Sequence, residues 1–206
     1  MSHRLLLWCG IALVLLGGAV GALAAVSDHQ DKGPAPSLEG PRMPAGLKAA
    51  NFRLADQDGH PFEMAGTRGR VVALTFVHSK CTSTCPVTLQ TIRGALDNVV
   101  DAGMDTGDVD VVAVTVDPEA DTPRSVRRFL AKQRTPFVRY LVGPRAKLRG
   151  IWKSYAVAPQ GSGQEDHTAF VFLIDRKGVE RVGFPSTQMT PEALANDLGI
   201  LLAEDA

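Results

Sequence analysis

The sequence predicts a single α/β domain with a central mixed sheet, built on a β-α-β unit and ending in an antiparallel hairpin. Two apolar, β-branched runs of strand length, 71–77 and 109–116, are typical of strands buried on both faces of a sheet. Between them, apolar residues at helical spacing, with Pro86 in the first turn, predict a helix over 86–100. Because strands alternate with helices, we expect helices to flank the sheet.

The remaining elements follow from the same two periodicities. Before the first buried strand, Asp58-Gly59 predicts a tight turn and therefore an N-terminal β-hairpin extension within 51–66. The helix that Pro123 begins is capped by either Asp121 or Thr122. The later segments predict helices over 122–133 and 144–157 around a short strand at 138–142, a hairpin of strands 168–175 and 179–184, and a final helix over 190–204.

The first 50 residues indicate an exported protein. Residues 1–26 carry no charge after Arg4, and this run fits a membrane span of about 20 residues better than a signal-peptide core of about 7–15. The sequence Ala-Leu-Ala at 22–24 has the form of a signal-peptidase site, so cleavage is the alternative. Residues 27–50 are rich in Pro, Gly and polar residues and are interpreted as a flexible linker, which leaves 51–206 as the domain.

These features predict where the domain works. We expect a single-pass protein of the bacterial cytoplasmic membrane with its domain facing the periplasm, or a soluble periplasmic protein after cleavage. Lys plus Arg and Asp plus Glu both number 22, so no overall basic excess favours nucleic acid as a partner. The charges are nevertheless uneven, acidic over 98–121 and basic over 124–153. This asymmetry is either a docking face or the solvated side of helices.

Two cysteines four residues apart, Cys81 and Cys85, stand where the first buried strand meets the N-terminus of its helix. Exposed backbone N–H groups and the helix dipole favour negative charge there, which lowers the pKa of a thiol. A thiolate is both a nucleophile and a metal ligand, so the pair suits redox chemistry or metal binding. A stapling disulfide is the alternative, since paired cysteines of exported proteins are often structural, although so short a loop adds little stability.

A metal site at this pair needs a further ligand, and histidine is the candidate. Two thiolates and one imidazole suit copper, because thiolates are soft ligands favoured by Cu(I) and imidazole also suits Cu(II). Zinc would ordinarily take a fourth protein ligand in a closed structural site. Among the five histidines, His78 is near the cysteines in sequence, and His167 stands just before a strand expected to neighbour the first.

Four short motifs occur one after another between about residues 50 and 200. They are F-x-L-x-D-Q-x-G (52–59), L-T-F-x-x-x-x-C-x-x-x-C-P (74–86), V-D-P-E-x-D-T-P (116–123) and D-H-x-x-x-x-x-L-I-D-x-x-G (166–178). In this order and spacing the chain resembles the Sco/SenC family, whose members help to assemble the copper centre of cytochrome c oxidase. The resemblance implies a thioredoxin-like fold.

Taken residue by residue, the resemblance implies that Cys81, Cys85 and His167 bind copper, as Cu(I) or Cu(II). Asp166, beside the histidine, would orient it. The implied function is a membrane-tethered metallochaperone whose partner is the copper-bearing subunit of cytochrome c oxidase, with another copper chaperone or a thiol reductant as a further partner. The alternative is an enzyme, a thiol–disulfide oxidoreductase that uses Cys81 and Cys85 as its redox pair. A peroxide-reducing enzyme is a third hypothesis, weakened because the chain lacks an obvious peroxidase T-x-x-C pattern with a matching arginine, and Thr82 and Thr84 both follow Cys81.

Two positions of the cysteine motif depart from the family's pattern. Thr82 stands where relatives often have proline, which we expect to loosen the loop and to shift its copper affinity or redox potential. His78 stands at a position that is often aromatic or small in relatives. It is therefore a candidate fourth, pH-dependent ligand, with a solvated loop residue as the alternative.

Overall fold

The computed structural model of the chain describes residues 37–159, 161 and 170–205. Within these ranges it has one seven-stranded sheet, four α-helices and one 3-10 helix. The elements are β1 (Arg53–Asp56), β2 (Pro61–Glu63), a 3-10 helix (Met64–Thr67), β3 (Val71–Val77), α1 (Thr84–Asp101), β4 (Val109–Thr115), α2 (Pro123–Gln133), β5 (Arg139–Val142), α3 (Arg145–Ser154), β6 (Phe170–Ile174), β7 (Glu180–Pro185) and α4 (Pro191–Ala203). Each strand and helix predicted from the sequence is present, with ends that differ by a few residues.

The sheet is mixed, in the order β2-β1-β5-β4-β3-β6-β7. Its three central strands are parallel, and Val71 to Val77 of β3 pair in register with Val109 to Thr115 of β4. The hairpins at the two edges are antiparallel to their neighbours. The N-terminal hairpin therefore extends the β5 side of the sheet, as the Asp58-Gly59 turn predicts.

The alternation of side chains along β3 separates two cores. Odd-numbered apolar residues from Val71 to Val77 pack with the apolar faces of α1, α2 and α4. Even-numbered residues from Val72 to Phe76 pack with α3, whose Leu148 is fully buried. Helices thus cover both faces of the sheet, which explains why every residue of β3 is buried.

The chain just before β1 belongs to the folded domain, although its composition predicts a linker up to residue 50. Isolated bridges join Arg42 to Val182 and Lys48 to Val179. A Cβ atom at Gly40 would lie 2.2 Å from the side chain of Val182, so this close approach requires glycine. β7 is an edge strand, and its unpaired backbone groups hold a segment that composition alone describes as flexible.

None of the helices in the described ranges has the length and apolar character that a membrane crossing needs. The predicted anchor, 1–26, and the linker up to residue 36 lie outside the described residues. His167 and Asp166 also lie outside them. The expectations for these segments therefore stay predictions.

Candidate metal centre

Residues 78–83, here called the cysteine loop, connect the carboxyl end of β3 to α1 near the middle of the sheet. Because β3 and β4 are parallel, the loops that follow both strands meet at the same edge. The backbone N–H of Val116 donates to the carbonyl of Val77 at 3.0 Å, which continues the pairing to the ends of both strands. The loop before α1 and the loop before α2 are consequently neighbours, as is usual for sites in open α/β sheets.

The helix α1 begins two residues earlier than predicted, which places Cys85 in its first turn. Ser83 precedes the helix, but its side chain makes no capping hydrogen bond. Instead, the Sγ of Cys81 accepts a hydrogen bond from the backbone N–H of Cys85 at 3.2 Å. The first N–H groups of a helix have no partner within the helix, so the sulfur satisfies one of them. The helix dipole also favours the thiolate form of this sulfur.

The two thiols differ in ionisation and exposure. A hydrogen bond from the Cys85 thiol holds the pKa of Cys81 well below its usual value, and contacts with His78 and with backbone N–H groups act in the same direction, whereas burial opposes them. The same thiol–thiol contact, together with burial, raises the pKa of Cys85. Cys81 is half-buried and Cys85 is buried. The surroundings therefore favour the thiolate form of the half-buried Cys81 and the protonated form of the buried Cys85.

His78 lies beside both sulfurs. One of its ring nitrogens and the Sγ atoms of Cys81 and Cys85 all lie within 4.8 Å of one another. The ring is half-buried, and its Nδ1 is buried without a hydrogen-bond partner. The contact with Cys81 raises the pKa of His78 against the opposing effect of burial. Two sulfurs and one imidazole at this separation form a donor set for a soft transition-metal ion.

The buried side chain of Asp121 holds the cysteine loop against the sheet through a hydrogen bond to the loop backbone. Asp121, only 4% exposed, accepts hydrogen bonds from the backbone N–H of Ser79 at 2.8 Å, the hydroxyl of Thr115 at 2.6 Å and the hydroxyl of Tyr140 at 2.5 Å. These partners come from the cysteine loop, β4 and β5. Asp121 therefore fixes the position of the loop relative to the centre of the sheet.

This role of Asp121 is not among the predictions. The sequence offers either Asp121 or Thr122 as the cap of α2, and in the structure the cap is Thr122, whose side chain accepts a hydrogen bond from the backbone N–H of Ser125. The V-D-P-E-x-D-T-P motif could have indicated this role. Thr122 before Pro123 is sufficient to cap the helix, so the aspartate of the motif is free for another contact. The Asp121 side chain is therefore available for the buried contacts with Ser79, Thr115 and Tyr140.

The predicted site is brought together in part. Cys81 and Cys85 are adjacent, as predicted, and His78 joins them. The position of His167 relative to the cysteines stays a prediction, because His167 is outside the described residues. His60 lies in the turn of the N-terminal hairpin with 74% of its side chain exposed, as expected for a solvated histidine.

A groove of about 550 Å³ opens beside the cysteine loop, between it and α2. Cys81 lies on one side of this groove and Phe129 on the other. Three cationic side chains, those of Lys80, Arg128 and Lys132, also line it. The uneven charge noted in the sequence therefore does reach the site, since basic residues of α2 border the approach to the half-buried thiolate.

A family model described as SCO1/SenC matches residues 42–203. The SCO2-like protein of Rickettsia prowazekii is 28% identical over 137 residues, which are 62% of this chain and 64% of that protein. The match thus spans slightly less than two thirds of this relative's length. The structure of Bradyrhizobium japonicum ScoI with copper bound is also 28% identical, with a TM-score of 0.61, and the match covers 75% of this chain and 99% of that one.

The fold is also similar to that of a thioredoxin domain. The domain comes from a thiol-disulfide oxidoreductase of Bacteroides vulgatus, with a TM-score of 0.54 at 13% identity, over 75% of this chain and 94% of that one. This likeness concerns the fold alone, and it confirms the predicted thioredoxin-like α/β class. Because the family model covers most of the sequence, including the cysteine loop and the motif around Asp121, this chain belongs to the SCO1/SenC family.

Proposed function

We propose that this chain is a copper metallochaperone, which binds copper through Cys81, Cys85 and His167 and passes it to the copper-bearing subunit of cytochrome c oxidase. The observation that carries the proposal is the cluster of the Cys81 and Cys85 sulfurs with the imidazole of His78 at the open end of the sheet, in a member of the SCO1/SenC family. The part of His167 rests on the resemblance and stays a prediction. The copper-bound structure of the Bradyrhizobium relative supports copper as the metal. Copper is cargo here, so the chain needs no general base or oxyanion hole.

The residues present fit copper. Thiolates are the soft donors that Cu(I) prefers, and imidazole also binds Cu(II), so one donor set serves both oxidation states. The exposure of the sulfurs suits transfer by ligand exchange: the half-buried Cys81 is open to an incoming ligand, whereas the buried Cys85 is shielded. We propose that copper leaves stepwise, with Cys85 as the last thiol ligand. Another copper chaperone would supply the metal.

A second candidate function is thiol–disulfide exchange, favoured by the opposite pKa shifts of the two thiols. The Cys81 thiolate would attack a disulfide of an envelope protein, forming a mixed disulfide and releasing one target thiolate. Cys85 would then lose its proton and attack the Cys81 sulfur, which releases the second target thiolate. The target is reduced and the pair is oxidised to a disulfide. A thiol reductant is then needed to restore the pair.

His167→Ala is expected to separate the two functions. Loss of the imidazole should weaken Cu(II) binding at least about tenfold, equivalent to about 1.4 kcal/mol. The rate of exchange with a small disulfide should stay within a few-fold, because a thiolate at a helix N-terminus does not need this histidine. Copper titration followed by the electronic spectrum, and stopped-flow exchange, measure the two properties.

The matched control is His60→Ala, which removes an exposed histidine from the hairpin turn and should change neither property. An unchanged copper affinity together with a collapsed exchange rate in His167→Ala would make His167 an acid–base partner. That result would favour the oxidoreductase over the metallochaperone.

We also propose that residues 1–26 stay attached and hold the domain at the periplasmic face of the bacterial cytoplasmic membrane. At 1.5 Å per residue the uncharged run spans roughly 30 Å of hydrocarbon, and Arg4 orients its N-terminal end toward the cytoplasm. Tethering raises the effective concentration of the site near a membrane-bound oxidase. Intact mass and N-terminal sequencing of the native membrane protein should show an uncut chain, whereas a mature chain beginning near Ala25 in the soluble fraction would show cleavage.

A further inference from the structure

We infer that His78 is itself a copper ligand, and that it forms with Cys81 and Cys85 a three-donor site made by the loop between β3 and α1 and the first turn of α1. The inference rests on the proposed function and deepens it, because it adds a donor to the same metal.

The separations of the three donors are those of ligands to one ion. Sulfur and nitrogen donors bond to such metals at about 2.0–2.3 Å, so two ligands of one ion lie at most about 4.6 Å apart. The ring nitrogen of His78 and the two Sγ atoms are all within 4.8 Å of one another. Three donors spread evenly around one ion would be about 3.5–4.0 Å apart, so movements of less than about 1 Å would bring all three onto a single copper ion.

The unpartnered nitrogen of His78 is the second observation. Its Nδ1 is buried and has no hydrogen-bond partner. Buried polar atoms nearly always have a partner, and an unsatisfied one destabilises the fold. A solvated loop histidine, the alternative from the sequence, would have both ring nitrogens in water. The imidazole side chain also contacts the Cys81 sulfur, so a metal bound beside the two sulfurs could give the imidazole a donor bond.

The backbone on both sides of His78 is fixed. Val77, before it, is the last residue of β3. The carbonyl of His78 accepts a hydrogen bond from the backbone N–H of Cys81 at 3.1 Å, and the N–H of Ser79 is held by Asp121. The ring therefore starts from a backbone already positioned against the sulfurs, which lowers the entropy lost when copper binds.

The test measures Cu(I) on the reduced full chain in two backgrounds, wild type and His167→Ala, each with and without His78→Gln. Cu(I) affinity is determined by competition with a chelator, and the bound donors are counted by X-ray absorption. In the His167→Ala background we expect two sulfurs and one nitrogen around Cu(I). His78→Gln in that background should remove the nitrogen and weaken binding at least about tenfold. His60→Gln, a substitution at an exposed histidine, should change neither quantity.

Nitrogen NMR of the His167→Ala chain gives a measurement that leaves His78 in place. Addition of Cu(I) should shift one ring nitrogen resonance of His78, and an unshifted ring would overturn the inference even if the glutamine variant folded poorly. An unchanged donor count and affinity in His78→Gln, with binding still abolished by Cys81→Ser, would also overturn it while the proposed function stands. Copper binding that survived both substitutions would place the ligands elsewhere and refute the proposed function as well.

Discussion

Cys81→Ser and Cys85→Ser are each expected to abolish tight copper binding by the reduced chain. A serine hydroxyl is a hard, un-ionised oxygen at neutral pH, so each substitution removes one of the two soft ligands on which Cu(I) binding depends. The loss should exceed about 100-fold in affinity, equivalent to about 2.8 kcal/mol. The wild type should bind one copper per chain, measured by metal analysis after removal of excess copper.

A matched control lies between the two cysteines. Ser83→Ala removes an exposed hydroxyl that makes no capping hydrogen bond, so it should leave copper loading unchanged. Cys85→Ser places a hydroxyl in the core that contains α1. Circular dichroism is therefore used to check that each cysteine variant is folded. Substoichiometric loading of the wild type that neither cysteine substitution reduces would refute the assignment of both ligands.

Oxidation of Cys81 and Cys85 to a disulfide is expected to block copper binding. A sulfur in a disulfide is no longer a thiolate, so both soft ligands are lost in one step. The two Sγ atoms already lie within 4.8 Å and must approach to about 2.05 Å, a movement that side-chain rotation and a small loop shift can supply. The oxidised chain should bind copper at least about 100-fold more weakly than the reduced one.

The experiment compares the same preparation before oxidation, after it and after reduction again, without oxygen during the copper titration. Cys9→Ser serves as the control, because Cys9 is the third cysteine of the sequence and could join two chains when oxidised. This variant should show the same loss and recovery as the wild type. If the oxidised chain bound copper as tightly as the reduced chain, the ligands would have to lie away from the pair.

The central strands could be predicted because burial on both faces leaves a strong pattern. The run 71–77 coincides with β3 in every residue, since none of its positions needs a polar side chain for solvent. The segment before β1 could not be predicted in the same way. Its content of Gly and Pro predicts only the local conformation of the backbone. The ordering of Arg42 and Lys48 depends on β7 and the turn before it, which come from near the C-terminal end of the sequence.

In the candidate site, too, some features depend on local sequence and others on contacts between distant strands. The adjacency of Cys81 and Cys85 follows from their spacing at a helix N-terminus, and the closeness of His78 follows from its place in the same loop. Local sequence is sufficient for both. The role of Asp121 depends on partners that come together only through the order and register of the strands, so no local pattern around Asp121 could predict them.

Asp121 also ties the position of the cysteine loop to the assembly of the central sheet. Its carboxylate joins Ser79, 42 residues earlier, to Thr115 and Tyr140, so the support of the cysteine loop exists only after the three central strands have assembled. Contacts so distant in sequence form late, because the loops between them must first close. An unfolded chain would therefore present two ordinary thiols with pKa values of about 8.5, mostly protonated and slow to react. Assembly of the sheet fixes the loop beside α1, where contacts with Cys85, His78 and backbone N–H groups lower the pKa of Cys81.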